Sequence, residues 1–347
     1  MNKKIIIAID AMGGENAPNK NIHGISLFIN KNSNKDDYHF NLYGDEDLIK
    51  SEIKKYKINN NKVSIFNTKS VVSDEETPLT AIKNSKNSSM WNCVSSQTLN
   101  NADISLSAGN TGVLLVISRM ILKTMDNISK PALAGLWPSK KGMSVVLDLG
   151  ANVDCDDKNL VDFSELGSAL FKSIFPNENP KVSILNIGSE EIKGTETIKK
   201  AYSKLKEISK YGDFEFKGYI EGNKLMDGET NVIVTDGFTG NIALKTAEGT
   251  AKFITDSLKD TLKETVFSKI SILFSYFSLK RFKAKLDPRK YNGAILLGLK
   301  GPVVKSHGST DSIGFYYSID LCYRIIKGNF MHELKKNLQN IDGPNQT

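Results

Sequence analysis

Four short loops hold the residues best suited to chemistry, and each follows a run of apolar residues. Asp10-Ala11-Met12-Gly13-Gly14 follows Ile5 to Ile9, and Ser107-Ala108-Gly109-Asn110-Thr111-Gly112 follows Ile104 to Leu106. Asp148-Leu149-Gly150-Ala151-Asn152 follows Ser144 to Leu147, and Asp236-Gly237-Phe238-Thr239-Gly240-Asn241 follows Val232 to Val234. An all-apolar run reads as a strand buried on both faces of a parallel sheet. Glycines behind it let backbone approach a ligand closely, and the next helix opens with free N–H groups and a partial positive charge. That combination suits an anion. In open α/β sheets such loops bind ligands at the carboxyl edge of the strands, so all four are expected to project from one edge.

The elements that must position these loops alternate along the chain. A helix is expected after Pro18 to about Asn30, a strand at Tyr38 to Tyr43, a helix at Leu48 to Tyr56 and a strand at Val63 to Phe66. One or two helices are expected over Leu79 to Asn100. Ala132 to Trp137 and Met143 to Leu147 read as an antiparallel pair turning at Pro138 to Gly142. Helices at Leu160 to Phe175 and Thr195 to Ser209 flank strands at Val182 to Ile187 and Phe214 to Ile220. After Val303 to Lys305, Ser306-His307-Gly308-Ser309-Thr310-Asp311 precedes a helix from Ser312 to about Lys327. Strands alternating with helices predict βαβ units, hence an α/β fold with a mostly parallel sheet in a single domain over 1–347. A frayed tail is expected at 337–347.

Composition narrows the function classes. The chain has 347 residues, 39% hydrophobic and 24% charged, ordinary for a globular protein with a sizeable core. Its net charge of +7 comes largely from lysines scattered among asparagines, without the interleaved aromatics of a nucleic-acid surface. Three widely spaced cysteines fit a reducing cytosol, and none of the four histidines has metal-ligand spacing. The apolar start is cut short by Asp10, and no run approaches the roughly 18 residues of a membrane span.

Composition changes at 266–285. Between Glu264 and Asp287 there is no acidic residue, and on a helix Val266, Ile270, Leu273, Phe274 and Phe277 would share an apolar face. Such a protruding amphipathic segment suits a core or dimer contact, or an anionic membrane surface.

Taken in order, the motifs at 9–14, 107–112, 147–154, 186–194 (Asn-Ile-Gly-Ser-Glu-Glu-Ile-Lys-Gly), 236–241 and 305–311 (Lys-Ser-His-Gly-Ser-Thr-Asp) resemble the phosphate acyltransferase (PlsX) family of bacterial phospholipid synthesis over nearly the whole chain. Glu15 and Ser139 depart from it, where Asp and Thr are common. The resemblance implies a three-layer α/β/α fold of the isocitrate and isopropylmalate dehydrogenase type. It implies transfer of a fatty acyl group from acyl carrier protein to inorganic phosphate, without cofactor or metal. It further implies a cytoplasmic homodimer resting peripherally on the inner face of the cell membrane, the carrier protein as partner, and a downstream glycerol-3-phosphate acyltransferase beyond it.

By motif position the resemblance makes Lys193 and Asn241 the leading catalytic residues, with His307 as a donor to phosphate. Lys193 would neutralise phosphate or protonate the leaving thiolate. Asp10, Gly13, Gly14, Gly109, Asn110, Thr111, Gly112, Asp148, Asn152, Gly237, Thr239, Gly240 and Lys305 form the expected phosphate and substrate loops, the aspartates capping helices or orienting donors. Ile270, Leu273, Phe274 and Phe277 are the expected membrane contacts, and basic residues near Lys280 to Lys290 would receive the acidic carrier protein. Phosphate is already a nucleophile, so no activated side chain is required. The rivals are a phosphate acetyltransferase-like enzyme using short-chain acyl-CoA, a dehydrogenase of related fold, disfavoured by the lack of G-x-G-x-x-G, and a membrane-bound scaffold.

Overall fold

Most strands are buried along nearly their whole length, because helices cover both faces of the sheet. The computed structural model describes residues 4–73, 76–77, 80, 85–285 and 287–341. Its strands are β1 (Ile5–Asp10), β2 (Tyr38–Gly44), β3 (Val63–Asn67), β4 (Ile104–Ser107), β5 (Ala132–Ser139), β6 (Gly142–Leu147), β7 (Lys181–Leu185), β8 (Glu215–Ile220), β9 (Val232–Val234), β10 (Ala294–Leu297) and β11 (Val303–Lys305). They form one sheet in the order β3-β2-β1-β4-β11-β10-β5-β6-β9-β7-β8.

The helices are α1 (Asn19–Lys31), α2 (Glu46–Lys55), α3 (Ser89–Thr98), α4 (Thr111–Leu122), α5 (Asp157–Ile174), α6 (Glu196–Ile208), α7 (Gly237–Glu264), α8 (Val266–Lys285), α9 (Ser312–Lys327) and α10 (Phe330–Ile341). Side chains alternate across the pleat and sort the helices into two layers. Ile7, Ile9, Val145, Val232, Val234 and Val304 join the core of α1, α5, α6, α9 and α10. Their neighbours face the other way: Val303 and Leu296 meet α4, while Val146 and Ile233 meet Ala243, Leu244 and Ala247 of α7. The three-layer α/β/α reading therefore holds, and the expected β5–β6 pair is antiparallel.

One expectation fails. β1, β4 and β11 run parallel, but the β11–β10, β10–β5 and β5–β6 pairings are all antiparallel. Three reversals leave β6, and with it β9, β7 and β8, pointing opposite to β1, β4 and β11. The loops after β1 and β4 thus leave one edge of the sheet and those after β6 and β9 leave the other. From β1 to β6 is five strand steps, about 24 Å at the usual spacing of about 4.8 Å.

α7 relates the two groups of loops. It starts at Gly237 on the β6 edge, and the charges of Lys245 and Glu248, two to three turns on, act on His307 behind β11. Beyond Ala247 the remaining turns of α7 are largely exposed, and α8 returns the chain toward Pro288. The tail differs from expectation too: α10 continues to Ile341 and buries Asn337, whose amide donates to the Glu165 carbonyl, while 342–347 lie outside the described residues. So does part of the helical expectation for Leu79 to Asn100, at 79 and 81–84.

Candidate functional site

The loops behind β1, β4 and β11 meet around two buried lysines. Gly14 has φ +84°, and a Cβ there would stand 2.8 Å from Lys20 Nζ, 2.9 Å from the Ala108 oxygen and 3.0 Å from the Gly308 oxygen. Only glycine fits both that backbone and that space. Lys20, in the first turn of α1, donates to the Gly308 carbonyl, and the Lys305 ammonium donates to the Ser306 carbonyl and, at 3.5 Å, to that of Ala108. Both lysines are more than nine-tenths buried.

Asp10 closes the floor of this cluster. Ser107 Oγ donates to it at 2.7 Å and the Met12 amide at 3.3 Å, while burial pushes its carboxyl up against these bonds and one from Ser89. Gly13 packs so closely that a Cβ would lie 2.6 Å from Asp10 and 2.7 Å from the Gly109 nitrogen. The Gly109 amide donates to Ser107 Oγ, and Asn110 caps α4 by accepting from the Val113 amide at 3.1 Å. The amides of Thr111 and Gly112 meet no acceptor among the described residues, so α4 opens with an anion-binding end.

His307 borders the same cluster. Its backbone amide donates to Asn292 Oδ1 at 3.0 Å, and its Nδ1 accepts from the Ser309 amide at 3.3 Å. A backbone N–H only donates, so this network assigns the proton of the neutral ring to Nε2. Burial, then the charges of Lys305, Lys245 and Lys20, hold the imidazole below its ordinary value, with Glu248 opposing.

The second cluster is built around Asp148. Its carboxylate accepts from the amides of Leu133, Gly150, Ala151 and Asn152 and from the Asn152 side chain, all between 2.8 and 3.1 Å. Asn152 also donates to the Pro131 carbonyl, and Asn241 donates to that of Leu149 at 3.1 Å. Gly240 lies against the Asp148 backbone carbonyl, where no Cβ would fit.

The start of α7 is more fully occupied than that of α4, although the Phe238 amide meets no acceptor among the described residues. The Gly237 amide is taken by the Asn152 carbonyl and the Thr239 amide by the Asp236 carboxylate, which also accepts from the Thr239 hydroxyl. Asp148, Asn152, Gly237, Thr239 and Gly240 therefore seat α7 on the β6 loop. Lys193 is exposed in the loop after β7 on that same edge, its carbonyl accepting from the Asn186 amide. Among the described residues, no hydrogen bond or ion pair joins Lys193 or Asn241 to the Lys20–Lys305 cluster.

Sequence reasoning missed Lys20, Ser107 as the partner of Asp10, and Asn292, which ties His307 to Ser306 and Gly314. The Asn292-Gly293 turn and a lysine directly inside a proline-led helix were the available signals. Among the described residues no group of His, Cys, Asp and Glu is arranged to hold a metal. All three thiols are pushed up by burial, that of Cys155 to about 11, which disfavours a thiolate nucleophile.

On α8, Phe274 and Phe277 are 85% and 75% exposed, as expected of surface contacts, while the side chains of Ile270 and Leu273 lie outside those described. Exposed aromatics also extend beyond one face: at about 100° per residue, Tyr276 stands about 100° from Phe277. No described helix is long and apolar enough to cross a membrane.

The model of a family described as "Fatty acid synthesis protein" matches residues 5–333. A protein of Pelagibacter ubique named phosphate acyltransferase is 53% identical over 97% of this chain and 100% of its own. Another of that name, from Parvibaculum lavamentivorans, is 39% identical over 99% and 94%. Among solved structures, the EutD phosphotransacetylase from Staphylococcus aureus superposes with TM-score 0.61 at 14% identity, over 94% of this chain and 95% of that one. A 4-hydroxythreonine-4-phosphate dehydrogenase from Klebsiella pneumoniae superposes with TM-score 0.52 at 10% identity, over 93% and 99%. Those two likenesses establish the fold, and the sequence relatives establish the family. The chain belongs to the phosphate acyltransferase family of fatty acid synthesis proteins and is an acyltransferase.

Proposed function

We propose that the protein transfers a fatty acyl group from acyl carrier protein to inorganic phosphate, giving acyl phosphate and free carrier protein at an early step of phospholipid synthesis. The observation that carries this reading is the convergence of Lys20, Lys305, His307 and the open amides of Thr111 and Gly112 on one cluster of glycine loops. Two ammonium groups match the charge of a phosphate dianion. A phosphate oxygen attacks the thioester carbonyl carbon, the C–O bond forms as the C–S bond breaks, and the carrier thiolate takes up a proton. Donors placed around the developing oxyanion lower the barrier. Lys193 and Asn241, on the loops of the other sheet edge, are assigned the carbonyl and leaving-group side of this transfer; the support is Lys245, one turn after Asn241 on α7, whose charge reaches His307.

Phosphate-dependent release of thiol from palmitoyl-carrier protein tests the reading. Wild type should release thiol only with phosphate, and Lys193→Ala and Asn241→Ala should each lower the rate about a hundredfold, a typical loss for one such donor. A folded wild type that releases thiol only from short-chain acyl-CoA would favour the acetyltransferase reading instead.

The finer features follow as proposals: a homodimer, docking of the acidic carrier protein on basic residues near Lys280 to Lys290, and peripheral membrane contact through α8. The exposed Phe274 and Phe277, beside Lys280 and Arg281, support the last. Replacing both phenylalanines with Ser should reduce binding to anionic vesicles at least fivefold while thiol release in solution persists. Unchanged vesicle binding would count against this role.

A further inference from the structure

Lys20 stands out because a lysine in the first turn of a surface helix ordinarily reaches water, whereas this one is 5% exposed. Its side chain runs from α1 to the Gly308 carbonyl, beside Gly14 and the Ala108 carbonyl. Three strands that are distant in sequence, β1, β4 and β11, each send a loop to this one ammonium group. The Glu15 amide also donates to the Gly308 carbonyl at 3.0 Å, so the β1 and β11 loops are bound to each other where Lys20 meets them. Its charge reaches His307 together with those of Lys305 and Lys245, against Glu248.

A buried ammonium that donates to carbonyl oxygens acts through a poorly screened setting. Lys305 supplies one such charge at the Ala108 carbonyl before α4, and Lys20 supplies a second at the Gly308 carbonyl, both carbonyls lying beside Gly14. We propose that Lys20 is a phosphate-binding residue that acts with Lys305 to select and position the dianion between the Gly14 loop, the start of α4 and His307. This deepens the phosphate acyltransferase reading and rests on it.

The test pairs direct binding with kinetics. Inorganic phosphate is titrated calorimetrically into wild type, Lys20→Gln and Lys20→Arg without an acyl donor, and KM values are measured for phosphate and for palmitoyl-carrier protein. Lys20→Gln removes the charge and retains an amide donor, one bond shorter than the ammonium. It should weaken phosphate binding at least tenfold and raise the phosphate KM by a similar factor, with the carrier-protein KM within twofold of wild type. Lys20→Arg should recover most of the loss. Phosphate binding within twofold of wild type in folded Lys20→Gln would overturn the proposal, as would an equal rise in both KM values. Should Lys20→Gln not fold, Lys20→Met carries the same expectation. Phosphate binding that is lost in the variant, from a wild type without acyl transfer, would remove the acyltransferase reading and keep the role of Lys20.

Discussion

Replacing Asp148 with alanine is expected to destabilise the protein by roughly 5 kcal/mol, because it strands several part-buried donors at once. The carboxylate accepts from four backbone amides and one side-chain amide within 3.1 Å, and it is fully buried. Each amide left without an acceptor costs about 1–3 kcal/mol, partly recovered if water enters the space. The damage should spread to α7, since Gly237 donates to the Asn152 carbonyl and Asn241 to that of Leu149, both in the loop that Asp148 shapes. Denaturant unfolding should show a lowered midpoint with an unchanged slope, and hydrogen exchange should quicken at 149–152 and 237–241. A loss below about 1 kcal/mol would mean that the loop holds its shape without the carboxylate. Activity should fall further than the unfolded fraction explains, as Asn241 loses its seat.

Much of this was legible in the sequence, and the omissions share a cause. Largely apolar runs ending in glycine loops correctly marked β1, β4, β6 and β9, because a strand covered on both faces carries few polar residues. β10 is equally apolar, Ala294-Ile295-Leu296-Leu297, but it is four residues long with no chemically marked loop behind it, and it was not anticipated. Missing it concealed the reversal. With β10 and β5 set antiparallel between β11 and β6, loops of like sequence leave opposite edges, and strand direction is a non-local property that no local pattern encodes.

The site divides along the same line. Residues whose role depends on their own loop were readable: Asp236 caps the helix behind it, and Gly14 adopts the positive φ that favours glycine. Roles that depend on a distant partner were not. Lys20 acquires its role from Gly308, 288 residues away, and the Gly237 amide at the start of α7 is taken by the Asn152 carbonyl. The tail at 337–341 failed in the same way, since its polar sequence hides a contact with α5.

That contact surrounds a group with a large effect of its own. Glu165 on α5 is 1% exposed, and its Oε1 meets no partner among the described residues. Burial, with the charges of Asp213 and Asp162 adding to it, pushes its carboxyl up from an ordinary 4.5 to about 8. Between those values the folded protein holds a proton that the unfolded chain has released, so stability should fall as pH rises through this window. At about 1.4 kcal/mol per unit, the full penalty above pH 8 approaches roughly 5 kcal/mol. Glu165→Gln keeps the shape and removes the titration. The variant should therefore match wild type near pH 4 and exceed it by several kcal/mol near pH 9, with a flatter dependence between. Wild type at high pH should also show faster hydrogen exchange in α10, whose Asn337 donates to the Glu165 carbonyl and whose Lys336 pairs with Asp213 at 2.6 Å. Parallel stability curves for the two proteins across this range would mean that Glu165 ionises freely where it lies, with water or a shifted lysine reaching its carboxylate.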